Sequence, residues 1–211
     1  MSQDKPVVFL DFDDTTFETR QLVAEFLSSF YGVTISPQVY LNGNSIDQVI
    51  NRLRPHHKPL TREQLYEDFD RHFLRSRKWQ NRARPVEGAE IYLPQLARKY
   101  KLQLVTARQV GCRMLVRGLC QKFFGRHITG EHFVWRRVGV RQFVMNASKK
   151  DHIARFPGKG VAFIDDSPEE IRGAREVITS YLFDPKGHHD DLTDIVHRVR
   201  SWKEIADLLL S

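Results

Sequence analysis

Cysteine is scarce in this chain, with Cys112 and Cys120 the only two among 211 residues. They stand eight apart with no CxxC or Cys/His spacing around them, which argues against a thiolate metal centre and leaves them as reduced packing or surface residues. Long apolar runs are missing as well. The opening MSQDKP carries one lysine and leads into only four apolar residues before Asp11, far short of a signal-peptide core or a membrane span. A cytoplasmic protein without a membrane partner is therefore expected. There is no low-complexity tract, internal repeat or homopolymeric basic tail.

What is present describes a globular chain. Apolar residues make up 41% of it, enough for one good-sized core and an insertion. The formal charge is +7, a field that attracts anions but suits phosphorylated metabolites, nucleic acid and anionic surfaces about equally. Basic residues concentrate at Arg71 to Arg84 and Arg136 to Arg141, where a solvated helix face or loop is the simplest explanation.

Four apolar segments read as buried strands: Val7 to Leu10, Leu102 to Val105, Val161 to Ile164 and Ile178 to Phe183. Helical patterns separate most of them. Leu22, Val23, Phe26, Leu27 and Phe30 recur at helical spacing and stop at Gly32, and Met114, Leu115 and Leu119 suggest another helix. Capping boxes open helices at Thr61 to Gln64, Ser167 to Glu170 and Ser201 to Glu204. Pro94 should shorten or kink a helix over Ala89 to Tyr100. Strands alternating with helices give an α/β fold with a doubly wound parallel sheet, whose functional groups gather at the carboxyl ends of the strands. The helical stretch after the first strand reads as an inserted cap over residues 18–85, with residues 1–17 and 86–211 forming the core.

The stretch VVFLDFDDTTF, Val7 to Phe17, poses a physical problem. Asp11, Asp13 and Asp14 crowd together where a buried strand leaves the sheet, and crowded carboxylates repel. Three further elements follow in order: Thr106 after the second strand, Lys149 or Lys150 opening a short helix, and Asp165-Asp166 after the third strand. Each alone has a duller reading. An Asp-x-Asp is often a turn or cap, paired aspartates favour a helix start, a threonine ends a strand, and isolated lysines lie on the surface. Their joint occurrence in this order argues otherwise.

Together these elements resemble the four motifs of the haloacid dehalogenase superfamily, most of whose members are magnesium-dependent phosphohydrolases. The resemblance covers Val7 to Phe17 and Val86 to Asp184. It implies that Asp11 is a nucleophile forming an aspartyl phosphate and that Asp13 protonates the leaving oxygen and then activates water. That second role needs a carboxyl able to hold a proton, and neighbouring negative charge shifts a pKa that way. Thr106 and Lys149 or Lys150 would hold phosphoryl oxygens, with Lys149 favoured because it stands four before Ile153, as the family's lysine does. Asp11, the Asp13 backbone carbonyl, Asp165 and Asp166 would hold Mg2+, which resolves the crowding; which of Asp165 and Asp166 is the direct ligand stays open.

Asp14 stands where many relatives carry glycine, and Thr16 where many carry an aliphatic residue. The Lys-Thr-Gly-Thr run of transport ATPases is absent, which excludes ion pumping, and Asp13 argues against dehalogenase chemistry. In relatives an insertion of this kind is a lid over the leaving group, so its hinges should lie near Thr15 to Thr19 and Arg82 to Glu87. Arg71, Arg75, Arg77, Lys78, Trp79 and Arg82 would then meet an anionic or aromatic leaving group. FIDDSPEE and RVRSWKEI resemble the 5'(3')-deoxyribonucleotidase-like branch. The expected function is hydrolysis of a small phosphorylated metabolite, for instance a nucleotide. Alternatives are phosphatase action on nucleic-acid ends and a non-catalytic phosphate-binding module. His56-His57 and the tract His188 to Asp191 read as solvated loops; the oligomeric state is not encoded in any motif.

Overall fold

The computed structural model describes residues 5–40, 46–137, 143–195 and 197–211. Of the basic stretch Arg136 to Arg141, positions 138–141 lie outside them. The central strand is β1 (Val7–Leu10), hydrogen-bonded in parallel to β4 (Lys101–Gln109) on one side and to β7 (Gly160–Asp165) on the other. Its unbroken apolar run is explained by burial on both faces: Val8 and Leu10 enter one core cluster, Val7 and Phe9 the other. Outward from this centre the sheet continues through β5 (Ile128–Arg137) and the antiparallel β6 (Phe143–Met145) at one edge. At the other edge lie β8 (Ser180–Phe183) and β9 (Arg198–Val199).

Among the described residues the sheet thus has seven strands where four were expected. The sequence ITGEHFVWRR of β5 mixes Gly, Glu and His among its apolar residues, so it carries neither an apolar run nor clean alternation. Strands β6 and β9, with three and two residues, are too short to show a period. Strand β8 begins at Ser180 rather than Ile178.

Several helices start at side-chain caps. Ser148 accepts the Asp151 N–H at the start of α7 (Lys149–Arg155), Ser167 that of Glu170 before α8 (Pro168–Ala174), and Ser201 that of Glu204 before α9 (Trp202–Leu210). Pro94 lies in the middle of one helix, α5 (Ala89–Lys99), which continues past it without the bond that a residue 94 N–H would make to the Glu90 carbonyl. After β4 comes α6 (Arg113–Phe124), which buries Cys120; Cys112 is buried just before it, and both are free thiols.

Between the short strands β2 (Phe17–Glu18) and β3 (Arg84–Pro85) the described chain is helical: α1 (Arg20–Tyr31), α2 (Ile46–Leu53), α3 (Arg62–Asp68), a wider π turn over Phe69–Leu74, and α4 (Arg77–Gln80). Helix α1 ends at Gly32, whose φ of +66° favours glycine. The expected box at α3 is complete, with Gln64 N–H donating to Thr61 Oγ1 and Thr61 N–H to the Gln64 side chain. Strands β2 and β3 pair antiparallel, Phe17 opposite Pro85 and Glu18 opposite Arg84, so the two crossings into the helical segment are fastened side by side. No strand was expected here. Two residues each leave no periodic signal.

The helical segment packs through aromatics. Phe26 meets Phe73, Trp79 and Phe69 at ring-centroid distances of 5.3, 5.7 and 6.0 Å, and this cluster runs on into Phe12 and Phe17, stacked at 4.7 Å. At the far end of the chain, Trp202 is fully buried and its indole N–H donates to the Thr15 carbonyl at 3.1 Å. Among the described residues no helix is long and apolar enough to cross a membrane.

Candidate active site

The carboxyl ends of β1, β4 and β7 meet on one rim, as expected of strands running parallel. Asp11 follows β1 immediately, and its N–H still donates to the Ile164 carbonyl at 2.9 Å, so its side chain is fixed beside β7. Asp165 ends β7 and accepts the Ser167 N–H at 2.8 Å. Asp11, Asp165 and Asp166 each place a carboxylate oxygen within 4.8 Å of the others.

Lys149, at the first position of α7, lies between two of them. Its ammonium donates to Asp11 Oδ1 at 2.7 Å and Asp165 Oδ2 at 2.6 Å, and all three side chains are nearly inaccessible. Lys150 points elsewhere and pairs with Glu176, so of the two lysines only Lys149 lies in this cluster. Burial would discharge Lys149, but Asp11, Asp165 and Glu170 outweigh it and hold the proton on. Burial also dominates at Asp11; Lys149 opposes it, Asp165 and Asp13 reinforce it, and the carboxyl is pushed up to about 8. Asp166 is raised too, by burial first and then by Asp165, Asp11 and Asp14, against the opposing Arg20. Such a site is short of positive charge. Three hard oxygen donors this close fit a divalent cation of the magnesium type.

Thr106 is completely buried on β4, and its Oγ1 accepts the Arg108 N–H at 3.2 Å. Arg108 stands two residues further along, and its guanidinium grips Asp13 with two bonds, Nε to Oδ2 at 2.9 Å and Nη2 to Oδ1 at 2.8 Å. Its Nη1 donates to Gln80 Oε1 at 2.6 Å, and its Cζ lies 4.4 Å from the centre of the Phe12 ring. The expectation that neighbouring carboxylates raise Asp13 is therefore not met. Burial acts in that direction, but Arg108 outweighs it and Asp13 is held below its ordinary value.

Asp14 explains its own departure from glycine. Its φ is +54°, the left-handed region that glycine enters freely and aspartate tolerates. The carboxylate gained there is used: Oδ1 accepts the N–H groups of Thr19 and Arg20 at 3.0 and 2.8 Å, filling the N-terminus of α1 where Thr19 offers no side-chain cap. Oδ2 accepts from Arg20 Nε at 3.0 Å, and Arg20 Nη2 continues to Asp166 Oδ2 at 2.8 Å. The hydroxyl of Thr16 donates to the Asp11 carbonyl at 2.6 Å.

A cavity of about 630 Å³ opens beside Asp13 between core and helical segment. Arg20, Arg62 and Arg108 supply its cations, while Val23, Tyr66, Phe69, Leu74 and Trp135 supply an apolar, largely aromatic wall. The residues expected to meet a leaving group are elsewhere. Arg71 pairs with Glu67, Arg75 with Asp70, and Arg82 with Glu25 while lying over Trp79, which packs in the aromatic cluster. Arg77 and Lys78 are exposed on α4. A smaller cavity on the other side of Arg20 is lined by Asp166, His188 and His189, so the histidine tract borders the site without joining the acidic cluster. Arg108 and Arg20 were not anticipated. Arg108 alternates in phase with Thr106 on one strand, a signal available in the sequence; nothing in the sequence marked Arg20.

No family model and no curated protein matches the chain by sequence. Solved structures do match its backbone. A predicted phosphatase from Clostridium acetobutylicum superimposes with a TM-score of 0.66 at 11% identity, covering 99% of both chains. A haloacid dehalogenase-like hydrolase from Streptococcus pneumoniae gives 0.64 at 13%, again over 99% of both. A magnesium-bound HAD-hydrolase, YfnB, from Bacillus subtilis, described as revealing interdomain movement, gives 0.63 at 14% over 99% of this chain and 100% of that one. Identity this low with likeness this complete is a statement about architecture, and it fixes the fold of the chain as that of the haloacid dehalogenase-like hydrolases.

Proposed function

We propose that the chain is a magnesium-dependent phosphomonoester hydrolase working through an aspartyl phosphate. One observation carries the reading: the carboxylates of Asp11, Asp165 and Asp166 converge on one rim with the Lys149 ammonium among them. Those three side chains and the Asp13 backbone carbonyl would hold a magnesium ion, which would supply positive charge to the phosphoryl oxygens.

The chain's own groups do the rest. The Asp11 carboxylate attacks phosphorus, and the ester oxygen leaves with a proton from the Asp13 carboxyl. Asp13, now a carboxylate, takes a proton from water as that water attacks the aspartyl phosphate, which releases phosphate and restores Asp11. Lys149 and the Thr106 hydroxyl steady the charge on the phosphoryl oxygens. The bidentate grip of Arg108 keeps Asp13 ionised and suits the second half; the first half requires that grip to loosen.

The large cavity receives the leaving group, and residues 18–85 act as a cap over it. Its aromatic wall of Tyr66, Phe69 and Trp135, with Arg62 at the rim, fits a flat ring carrying polar edges, so a nucleoside monophosphate is the preferred class. The test is a panel of p-nitrophenyl phosphate, glycerol phosphate and 5'- and 3'-nucleoside monophosphates, with and without magnesium. We expect metal-dependent turnover that Asp11→Asn abolishes, and a Trp135→Ala variant whose KM rises for nucleotides more than for glycerol phosphate. No hydrolysis of any member, with Asp11→Asn indistinguishable from wild type, would instead identify a phosphate-binding module. Steep salt dependence on phosphorylated oligonucleotides would move the substrate to nucleic-acid ends.

A further inference from the structure

The contact least explained by phosphate hydrolysis is the one between Arg20 and Asp166. Arg20 belongs to α1, the first helix of the helical segment, and Asp166 to the acidic cluster of the core, yet their side chains meet at 2.8 Å with each only 22% exposed. Arg20 is not free to drift there. Its Nε is fixed at 3.0 Å by Asp14 Oδ2, and its backbone N–H by Asp14 Oδ1 at 2.8 Å, so an aspartate in a left-handed backbone position aims the guanidinium at Asp166. Two cavities share Arg20 and Asp14 as their common wall, which places this bracket at the boundary of the site and not in its interior.

We propose that Arg20 is an internal competitor for Asp166: it takes part of the carboxylate charge that a divalent cation would use, and so sets the cation affinity of the site. The inference rests on the metal assignment made above and concerns only how tightly that site holds its ion. A carboxylate oxygen engaged by a guanidinium has less charge to give a second cation, and two positive groups sharing one carboxylate repel across a short, poorly hydrated gap. Arg20 is thus a positioning and tuning residue, with no contact to the reacting phosphorus required. Because it spans helical segment and core, an ion that draws Asp166 away also loosens one tie between them.

The test is calorimetric titration of the intact protein with MgCl2 alone, no substrate present, for wild type, Arg20→Gln and Arg20→Lys. Thermal melts in EDTA verify folding. Removing the charge should tighten magnesium by about tenfold, whereas the charge-preserving lysine should stay within about threefold of wild type. A second measurement needs no variant: the side-chain Nε–H resonance of Arg20 in wild type should shift, and its exchange with water accelerate, as magnesium is added. Magnesium binding unchanged or weakened in Arg20→Gln, or an Arg20 resonance indifferent to saturating magnesium, would overturn the proposal while leaving the phosphatase reading intact. Failure of wild type and variant alike to bind any magnesium would remove both.

Discussion

Lys149→Met offers the sharpest test of the electrostatic account. Methionine matches the lysine stem in length and removes only the ammonium, so packing is nearly conserved. What it leaves behind are Asp11 and Asp165, carboxylates that are 4% and 0% exposed and that both lose their bond to Lys149. Breaking a buried ion pair by deleting one partner costs about 3–5 kcal/mol. For a chain of this size each kcal/mol moves the melting temperature by about 2–4 °C, so a drop of about 6–20 °C is expected in EDTA at pH 8. The deficit should shrink at pH 5, because the stranded Asp11 carboxyl, already pushed up in the folded protein, then carries a proton and no longer repels its neighbours. It should shrink also with saturating magnesium at pH 8, since a ligand at a hundred times its Kd contributes about 2.7 kcal/mol. Differential scanning calorimetry at two pH values, with and without magnesium, reads all of this. A fall of less than about 2 °C in EDTA at pH 8, equal at pH 5, would show that Lys149 does not neutralise the cluster and would refute the reasoning.

Further outcomes follow from the same geometry. Asp11 is raised in the folded protein to about 8, so its contribution to stability is complete below its unfolded value of 3.8 and is lost as pH rises through 8; Asp166 is raised in the same direction. Metal-free protein should therefore melt lower at pH 8 than at pH 5, and magnesium, which needs the ionised carboxylate, should bind more tightly at the higher pH and flatten that slope. Asp14→Ala should cost about 1–2 kcal/mol in urea denaturation, because it strands the N-terminus of α1 and forces a non-glycine residue into a left-handed position without its carboxylate; Asp14→Asn should cost less than half of that. The thiols of Cys112 and Cys120 are pushed up by burial to about 11 and about 12, so at pH 8 neither should react with Ellman's reagent until the protein is unfolded.

The parts of this fold that the sequence discloses are those in which local chemistry and tertiary position agree. Strand β1 is apolar on both faces because both faces are buried, and the acids that follow it have nowhere to go but the rim. The capped helices α3, α8 and α9 announce themselves through side chains that bond their own backbone. What stayed hidden depends on partners distant in sequence. Strand β5 is held by pairing with β4 and not by its own pattern, and β2 exists only because β3 returns to it 66 residues later. The arginines show the same limit. A local cluster of charge at Arg71 to Arg82 suggested a ligand face, but Arg71, Arg75 and Arg82 are occupied by Glu67, Asp70 and Glu25 and Arg77 and Lys78 are exposed, while the cations that reach the site are the scattered Arg20 and Arg108.

The bond from the Trp202 indole to the Thr15 carbonyl ties the start of α9 to the turn that carries Asp13 and Asp14. During synthesis the sheet centre and the helical segment leave the ribosome well before this tryptophan does. The reactive turn therefore acquires this restraint only after the rest of the sheet has been made, and a nascent chain arrested before α9 would display the acidic residues without the brace that steadies them.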